Sequence, residues 1–474
     1  MAQDVDKYEK NAYNLDYHKK GECFMLLNFK VSNFASFDDM QELSMSAGKV
    51  RAHSERLYTD NKNKILKFMA IYGANASGKS NLVSAFEFAK TIILDGFTGE
   101  FSDLYCKLKE ENKGKNSHFE FTILINGKKY TYGFETVLTM QSFKKEWLFE
   151  LTYGDNKKVV FERDTDVGTF KVDSYFKDAA INERLTIYAE DIKNDSSVLF
   201  LSIMNKNKGQ LYESNGEIIL YRKIFNWFKF RLSVNFSDRP VTNYSYLLNE
   251  ESIEAIGKLL NNFGTGISRF TLVDVPIEKI TNNVPKELIK EITNSLVEQQ
   301  RFFEGKHIGR IPAIMLRGAE DATMFIIKLS ENEISAQTLQ FNHENTNAFF
   351  SLSEESDGTV RLLDLIEILL CDDQEKVYII DEINRRFHPL LTRKFVEEYL
   401  KLAEERNIQL IVTTHESKIM DLDLLRKDEI GFVDKGIMGE STFFTMDTFG
   451  ERFDKKVCAA YFKGEYDAIP RFKF

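Results

Sequence analysis

Cysteine and proline are both scarce in this chain of 474 residues, with four and six copies. Cys23, Cys106, Cys371 and Cys458 show no C-x-x-C spacing, so neither a metal site nor a disulfide framework is expected, and free thiols suit a reducing cytosol. Positive charge is not in excess. The 63 Lys and Arg against 73 Asp and Glu give a net charge of −10, so the molecule as a whole should repel nucleic acid and anionic membrane. A local basic groove is left open. No run of about 18 apolar residues occurs, so no transmembrane helix is expected. Residues 1–20 lack the apolar stretch of a signal peptide and read as a mobile tail. There is no internal repeat, no low-complexity tract and no sustained heptad pattern, which argues against a long coiled-coil arm. The composition is otherwise that of an ordinary soluble protein, 43% hydrophobic and 29% charged, and the length allows two or three domains. A cytoplasmic location follows as the expectation.

The most informative stretch is IYGANASGKS, residues 71–80, which fits G-x-x-x-x-G-K-[ST]. Phe68 to Tyr72 reads as a short buried strand, and Leu82, Val83, Phe86 and Ala89 recur at helical spacing beyond the loop. Strand, glycine-bounded loop and helix form the arrangement that phosphate binding needs. Backbone N–H groups and the positive helix end face the anion, Lys79 supplies a movable charge, and Ser80 supplies a hydroxyl for Mg²⁺. Gly73, Asn75, Ser77, Gly78, Lys79, Ser80 and Asn81 are therefore the candidate nucleotide-binding residues.

Before the loop, residues 24–37 and 40–45 read as strands, either a flap against the nucleotide-binding sheet or an edge hairpin. After it, two strands joined at Asn126-Gly127 and two joined at 154–156 predict an antiparallel β-lobe. Gln141 and Glu146 read there as surface residues, with a nucleotide-sensing position as the alternative. Residues 165–345 mix helical segments (250–260 and 286–298) with short strands (186–188, 270–273 and 322–329). The lysines at 144–145, 157–158 and 206–208 read as solvated turns, with nucleic acid left open as a partner.

Near the C-terminus, KVYII ends in Asp381-Glu382, a buried-strand run followed by two carboxylates. Catalytic groups gather at the carboxyl ends of parallel strands, so Asp381 is expected to hold Mg²⁺ and Glu382 to polarise the attacking water. A second apolar strand, 408–412, leads to Thr413-Thr414-His415, where His415 is placed to sense the γ-phosphate. Upstream, SLSEESDGT (351–359) precedes the helical run VRLLDLIEILL. Ser356 can cap that helix, and the same Ser- and Gly-containing start, with Gly358, can face an anion. One chain already supplies a phosphate loop, so this second anion site would serve a nucleotide on a partner subunit.

The order of these elements resembles ABC-type ATPases of the SMC/RecF branch. More closely, GANASGKSNL, SLSEESDGT, IIDEINRRFHP, TTHES and YFKGEYDAIP resemble AAA-family ATPases of abortive-infection and restriction-associated loci, the RloA/AbiL type. The likeness covers about 24–163 and 347–470, and departs in the acidic surround of Glu354, Glu355 and Asp357 and in the want of an assignable Q-loop glutamine. It implies an α/β, ABC/SMC-head-like P-loop NTPase with a mixed sheet, an antiparallel β-lobe and a mostly helical insertion. The expected divisions are a tail (1–20), an N-terminal half-head (21–164), an insertion for assembly or partner contacts (165–345) and a C-terminal half-head (346–474). It implies ATP and Mg²⁺ sandwiched between two heads, with Asp381 in the Walker B role, Glu382 as catalytic base and His415 as switch histidine. A dimer or higher homo-oligomer is implied, and control of a separate nuclease effector in phage defence. The 59 residues after His415 are expected to be too few for an appended nuclease domain. A DNA-clamping ATPase of the repair type is the alternative.

Overall fold

A buried strand, a loop and a helix form around Lys79 because the strand carries five consecutive buried residues and the helix an apolar stripe. The computed structural model describes residues 23–449, 457–464, 466 and 468, less 61, 153, 155, 173–174, 207, 209–211, 213–215, 238–249, 282–285, 306–312, 318–323, 331–332 and 371–374. The expected tail and Cys371 lie outside the described residues. The chain divides into two compact units. One comprises Met1–Ser237, Asp373–Asn384 and Leu400–Phe474, the other Asp238–Asp372 and Arg385–Tyr399. Residues 165–237 thus lie with the phosphate loop, and the helix start at 356–359 lies in the second unit.

The first unit contains two large sheets. A seven-stranded antiparallel sheet takes β1 (Phe24–Ser32), β2 (Gln41–Ser44), β6 (Ser117–Ile125), β7 (Lys128–Val137), β8 (Ser142–Leu151), β9 (Lys157–Asp164) and β10 (Thr169–Lys171) in the order β10-β9-β8-β7-β6-β1-β2. The expected lobe and the hairpin before the loop are therefore one sheet. Asn126 and Gly127, with φ of 50° and 78°, make the tight β6–β7 turn that the Asn-Gly pair predicts. A two-stranded ribbon, β3 (Tyr58–Thr59) and β4 (Lys64–Ile65), leads into the second sheet.

That second sheet is mixed, ordered β11-β17-β18-β5-β19-β20. It contains β5 (Phe68–Tyr72), β11 (Leu232–Asn235), β17 (Val377–Ile380), β18 (Gln409–Thr413), β19 (Ile430–Lys435) and β20 (Ser441–Thr445). All neighbours are parallel except β20, which returns antiparallel to β19. The central strands read as unbroken apolar runs because both faces are covered. Helix α1 (Lys79–Asp95) joins the two sheets in one core: Phe86 lies 3.9 Å from Phe29 and 5.9 Å from Phe121, and the same cluster takes in Ile71, Ile379 and Ile411.

Residues 186–188, expected as a strand, belong instead to helix α2 (Ala179–Ile192). The stripe of Ile181, Leu185 and Ala189, four residues apart, is buried, and Asp178 caps the helix by accepting from the Ala180 N–H. Glu146, expected at the surface, is fully buried. Its face of β8 is covered by the chain at Phe200–Asn205 (helix α3), so it shares the interior with Leu148. Gln141 does lie partly exposed, its amide donating to the Gly99 carbonyl at 3.2 Å. The lysines expected in turns at 144–145 and 157–158 lie instead in β8 and β9, where Lys144 pairs with Asp166, Lys145 with Glu135, and Lys157 and Lys158 lie over Phe149 and Tyr175.

In the second unit, β12 (Ile267–Val275), β13 (Ala313–Arg317), β14 (Met324–Ser330), β15 (Glu333–His343) and β16 (Phe349–Ser351) form an antiparallel sheet ordered β12-β15-β14-β13, with β16 also on β15. Helices α4 (Glu250–Asn262) and α5 (Lys286–Gly305) belong to this unit, the latter burying Ile292 and Leu296 against Ile327, Leu329 and Ala336. Two further helices follow, α6 (Asp357–Leu370) and α7 (Pro389–Glu405), the latter counted with this unit only up to Tyr399. Among the described residues no helix is long and apolar enough to cross a membrane. The fold is α/β, a phosphate-loop sheet carrying an antiparallel lobe and an inserted unit of helices on a sheet.

Candidate functional site

Parallel pairing dictates where the site lies. Strands β17, β18 and β5 are adjacent and run in one direction, with Ile380 beside Val412 and Thr413 beside Ile71. Their carboxyl ends therefore leave the sheet along one edge, spaced by about 4.8 Å per strand. Asp381-Glu382, His415 and the loop from Gly73 follow those three ends.

The loop itself is shaped for an anion. Ala76 and Gly78 have positive φ, 59° and 110°, the left-handed geometry that lets successive N–H groups converge. A Cβ on Gly78 would lie 2.2 Å from Ser441 Oγ, and one on Gly73 would lie 2.3 Å from the Val433 carbonyl, so neither position has room for a side chain. Asn75, Ala76 and Ser80 are exposed, whereas Ser77 and Lys79 are buried. The Lys79 ammonium donates to the carbonyls of Gly73 and Ala74, both at 2.9 Å. Burial pushes its pKa down to about 8, and the nearby charges of Asp381 and Glu382 only partly oppose this.

A hydroxyl chain supports the loop from behind. Each serine has one proton to give, which orders the bonds. Asn81 Nδ2 donates to Ser36 Oγ (2.7 Å), Ser36 Oγ to Ser441 Oγ (2.7 Å), and Ser441 Oγ to the Ser77 carbonyl (2.5 Å). Asn81, expected among the nucleotide-binding residues, gives one amide N–H to Ser36. The Ser77 carbonyl is held inward, so the N–H of the same trans peptide, that of Gly78, points the opposite way. Ser36 and Ser441 are 405 residues apart, and no local pattern marks either of them.

The two acids sit just beyond β17. Asp381 is buried, its N–H donating to the Asn235 carbonyl at 2.8 Å and its Oδ1 accepting from Thr413 Oγ1 at 2.6 Å. Glu382 has φ of 48° and is half-buried. Asn384 Oδ1 accepts from Thr414 Oγ1 (2.9 Å) and from the His415 N–H (3.2 Å), tying the turn after β17 to the histidine. The His415 ring lies at the surface with protein crowding one side. That desolvation, and then the Lys79 charge, lowers its pKa against the pull of Glu382 and Asp381, so the imidazole is neutral at pH 7 and can accept a hydrogen bond. Lys79, Asp381, Glu382 and His415 therefore lie within electrostatic reach of one another.

Ser356 and Gly358 are in the second unit, at the start of α6. Ser356 Oγ accepts the Thr359 N–H at 3.1 Å, so the serine caps its own helix. Gly358 lies close to the Arg386 carbonyl, 3.1 Å from an added Cβ. Glu355 is tied to His343 at 2.7 Å and Glu354 to the Ser351 N–H, so these acids are engaged locally.

A search of curated proteins returned no match. Among solved structures, the chain is similar at low identity to SMC head domains. An SmcHead bound to the C-winged helix domain of ScpA has 13% identity, covering 89% of this chain and 97% of that one, with a TM-score of 0.39. The SMC head domain from Thermotoga maritima has 13% identity, coverage of 89% and 98%, and a TM-score of 0.36. A Pyrococcus furiosus Smc head with an extended coiled coil, bound to the C-terminal domain of ScpA, has 14% identity, coverage of 94% and 100%, and a TM-score of 0.38. A family model matches residues 68–421, from the strand before the phosphate loop to beyond His415. With three quarters of its length inside that match, the chain belongs to the family described as "AAA domain, putative AbiEii toxin, Type IV TA system".

Proposed function

We propose that this protein is a cytoplasmic, Mg²⁺-dependent ATPase of the RloA/AbiL type that governs a separate nuclease effector in abortive-infection-type phage defence. The observation that carries the ATPase reading is the meeting of Lys79, Asp381, Glu382 and His415 at the carboxyl edge of three adjacent parallel strands. The residues suit Mg²⁺·ATP: a left-handed loop with no room for side chains at its glycines, an exposed Ser80 hydroxyl, and a buried aspartate with one oxygen already engaged. Mg²⁺ takes a few protein oxygens and completes its shell with phosphates and water, so Ser80 and Asp381 suffice to hold it. When bound, it supplies neutralising charge at the phosphates. Lys79 turns its ammonium from the loop carbonyls to the phosphate oxygens. Glu382 accepts the proton of the attacking water, and neutral His415 orients that water against the γ-phosphate. The family's description, a putative AbiEii toxin of a type IV toxin–antitoxin system, supports the defence setting. The test is purification of the tagged chain from its host: a nuclease should travel with it, while the pure chain should consume ATP and cut neither RNA nor DNA. Cleavage following the protein peak through unrelated columns would overturn the division of labour.

Lys79 gives this reading a pH signature. With its free-state pKa lowered to about 8, the ammonium is fully charged below that pH and is lost as the pH rises through it. Bound phosphates favour the charged form, so ATP binding at pH 8.5 should take up a substantial fraction of a proton and affinity should fall with rising pH. Calorimetry in two buffers of different ionisation enthalpy measures the uptake. Lys79→Ala should abolish both the uptake and most of the binding.

The nucleotide is shared between subunits in this proposal, with Ser356 and Gly358 of one chain completing the site on another. Lys79→Ala disables the loop half, and Ser356→Ala with Gly358→Ala the other half. Mixed and allowed to exchange, half the dimers would be hybrids with one intact site, so about a quarter of full activity should return. Capping alone predicts no rescue, and about 1 kcal/mol of lost stability for the Ser356 change. Turnover across mixing ratios, with exchange verified by differently tagged chains, separates the two.

A further inference from the structure

We infer that Thr413 is the positioning residue of the hydrolytic step, one hydroxyl fixing both acids at once; the inference rests on the ATPase reading above. Three hydrogen bonds converge on this residue. Its Oγ1 donates to Asp381 Oδ1 at 2.6 Å and accepts the Glu382 N–H at 2.8 Å, and its carbonyl accepts the Ile383 N–H at 3.1 Å. Thr413 is 1% exposed, so water cannot replace these bonds. A hydroxyl has a single proton, and the Glu382 N–H can only donate, so the Thr413 proton must go to Asp381. That direction requires Asp381 Oδ1 to act as acceptor. The bond fixes the rotation of the carboxyl group, and its other oxygen has no partner among the described residues.

The second bond matters because of the backbone. Glu382 has φ of 48°, the left-handed region that a side-chain-bearing residue occupies only when its surroundings hold it there. The N–H groups of Glu382 and Ile383, the two flanking this strained residue's side chain, both end on Thr413. The turn that directs the general base is thus pinned to the strand that carries His415 two residues later. Moving either acid by a fraction of an ångström spoils proton transfer far more than phosphate binding, which depends on the loop and Lys79.

The split between turnover and binding is therefore the test. Thr413→Val keeps the shape and the backbone carbonyl and removes the hydroxyl. In the full-length protein, kcat for ATP with Mg²⁺ should fall about 10- to 100-fold, while the dissociation constant of a fluorescent ATP analogue stays within about twofold. Thr413→Ser, which restores the hydroxyl, should recover most of kcat. If the valine variant folds poorly, Thr413→Cys, a weak donor of similar size, should lie between valine and serine in kcat. A valine variant with unchanged kcat, or a serine variant as slow as valine, would overturn the assignment. Failure of the unmodified chain to turn over ATP at all would instead remove the ATPase reading, and this inference with it.

Discussion

Glu382→Gln should bind ATP with the affinity of the unmodified protein and hydrolyse it about 10²- to 10⁴-fold more slowly, the usual loss for a positioned base. The amide keeps the size of the side chain, and the left-handed backbone at φ 48° is held by N–H bonds to Thr413 that the change does not touch. What disappears is the capacity to accept a proton. Because Lys79 and the loop remain whole, the substrate should accumulate bound and uncleaved. If the nucleotide is shared between subunits, the variant should also accumulate as an ATP-held dimer, visible by light scattering after gel filtration. His415→Ala should be milder, since a neutral imidazole orients the water without taking its proton. Turnover of Glu382→Gln near that of the parent would remove Glu382 from the base role and leave the base to be sought elsewhere at this edge.

That the phosphate loop, the two acids and His415 follow strand ends is legible in the sequence because each of these parts is written locally. A phosphate loop needs its glycines, lysine and serine within eight residues, and a buried strand ending in acids is a short run with an abrupt polarity change. The parts that were not legible depend on distance in the chain. Thr413 and Asp381 are 32 residues apart, and the serines behind the loop are 405 apart. Nothing near Ser36 or Ser441 distinguishes either from a surface serine. Strand β11, Leu232–Asn235, pairs in parallel with β17 more than 140 residues later, and four residues carry too little pattern to announce a sheet edge. Residues 186–188 look strand-like as a triplet, with Thr and Ile adjacent, but the buried stripe that decides the matter spans 181–189. The inserted unit shows the same limit. Its helices have long amphipathic periods, whereas its sheet is made of strands whose partners lie far along the chain, as β12 with β15.

Glu146 is the position where the surface expectation and the structure differ most, and its removal should be the most damaging single change to the fold. The carboxylate lies on β8 with no solvent exposure, 3.3 Å from the equally buried Arg163 guanidinium of β9. It also accepts the N–H groups of Phe200 (2.6 Å) and Leu201 (3.0 Å) at the start of α3, and the Tyr132 hydroxyl at 3.0 Å. Arg163 in turn donates to the carbonyls of Ile192, the last residue of α2, and of Asp195 and Val198 beyond it. The pair therefore fastens two helices to the antiparallel sheet. Burial pushes the Glu146 carboxyl upward, against the pull of Arg163 and the two N–H donors. Glu146→Ala leaves a buried cation and two helix N–H groups without their acceptor, a loss of about 3–5 kcal/mol. Both tryptophans, Trp147 and Trp227, lie in this unit, so intrinsic fluorescence in urea reports on it directly. With a slope of about 2–3 kcal/mol per molar, the midpoint should fall by roughly 1–2.5 M. Replacing both partners, Glu146→Leu with Arg163→Met, should recover much of that loss, because a well-packed apolar pair needs no compensation. The double replacement also tests whether the pair serves stability alone. None of the hydrogen bonds and ion pairs given above for the pair reaches Lys79, Asp381, Glu382 or His415, so a protein refastened with apolar side chains should regain its midpoint and its ATP turnover together. A single Glu146→Ala change that leaves the urea midpoint within about 0.3 M of the parent would show that the carboxylate is not what holds these helices in place.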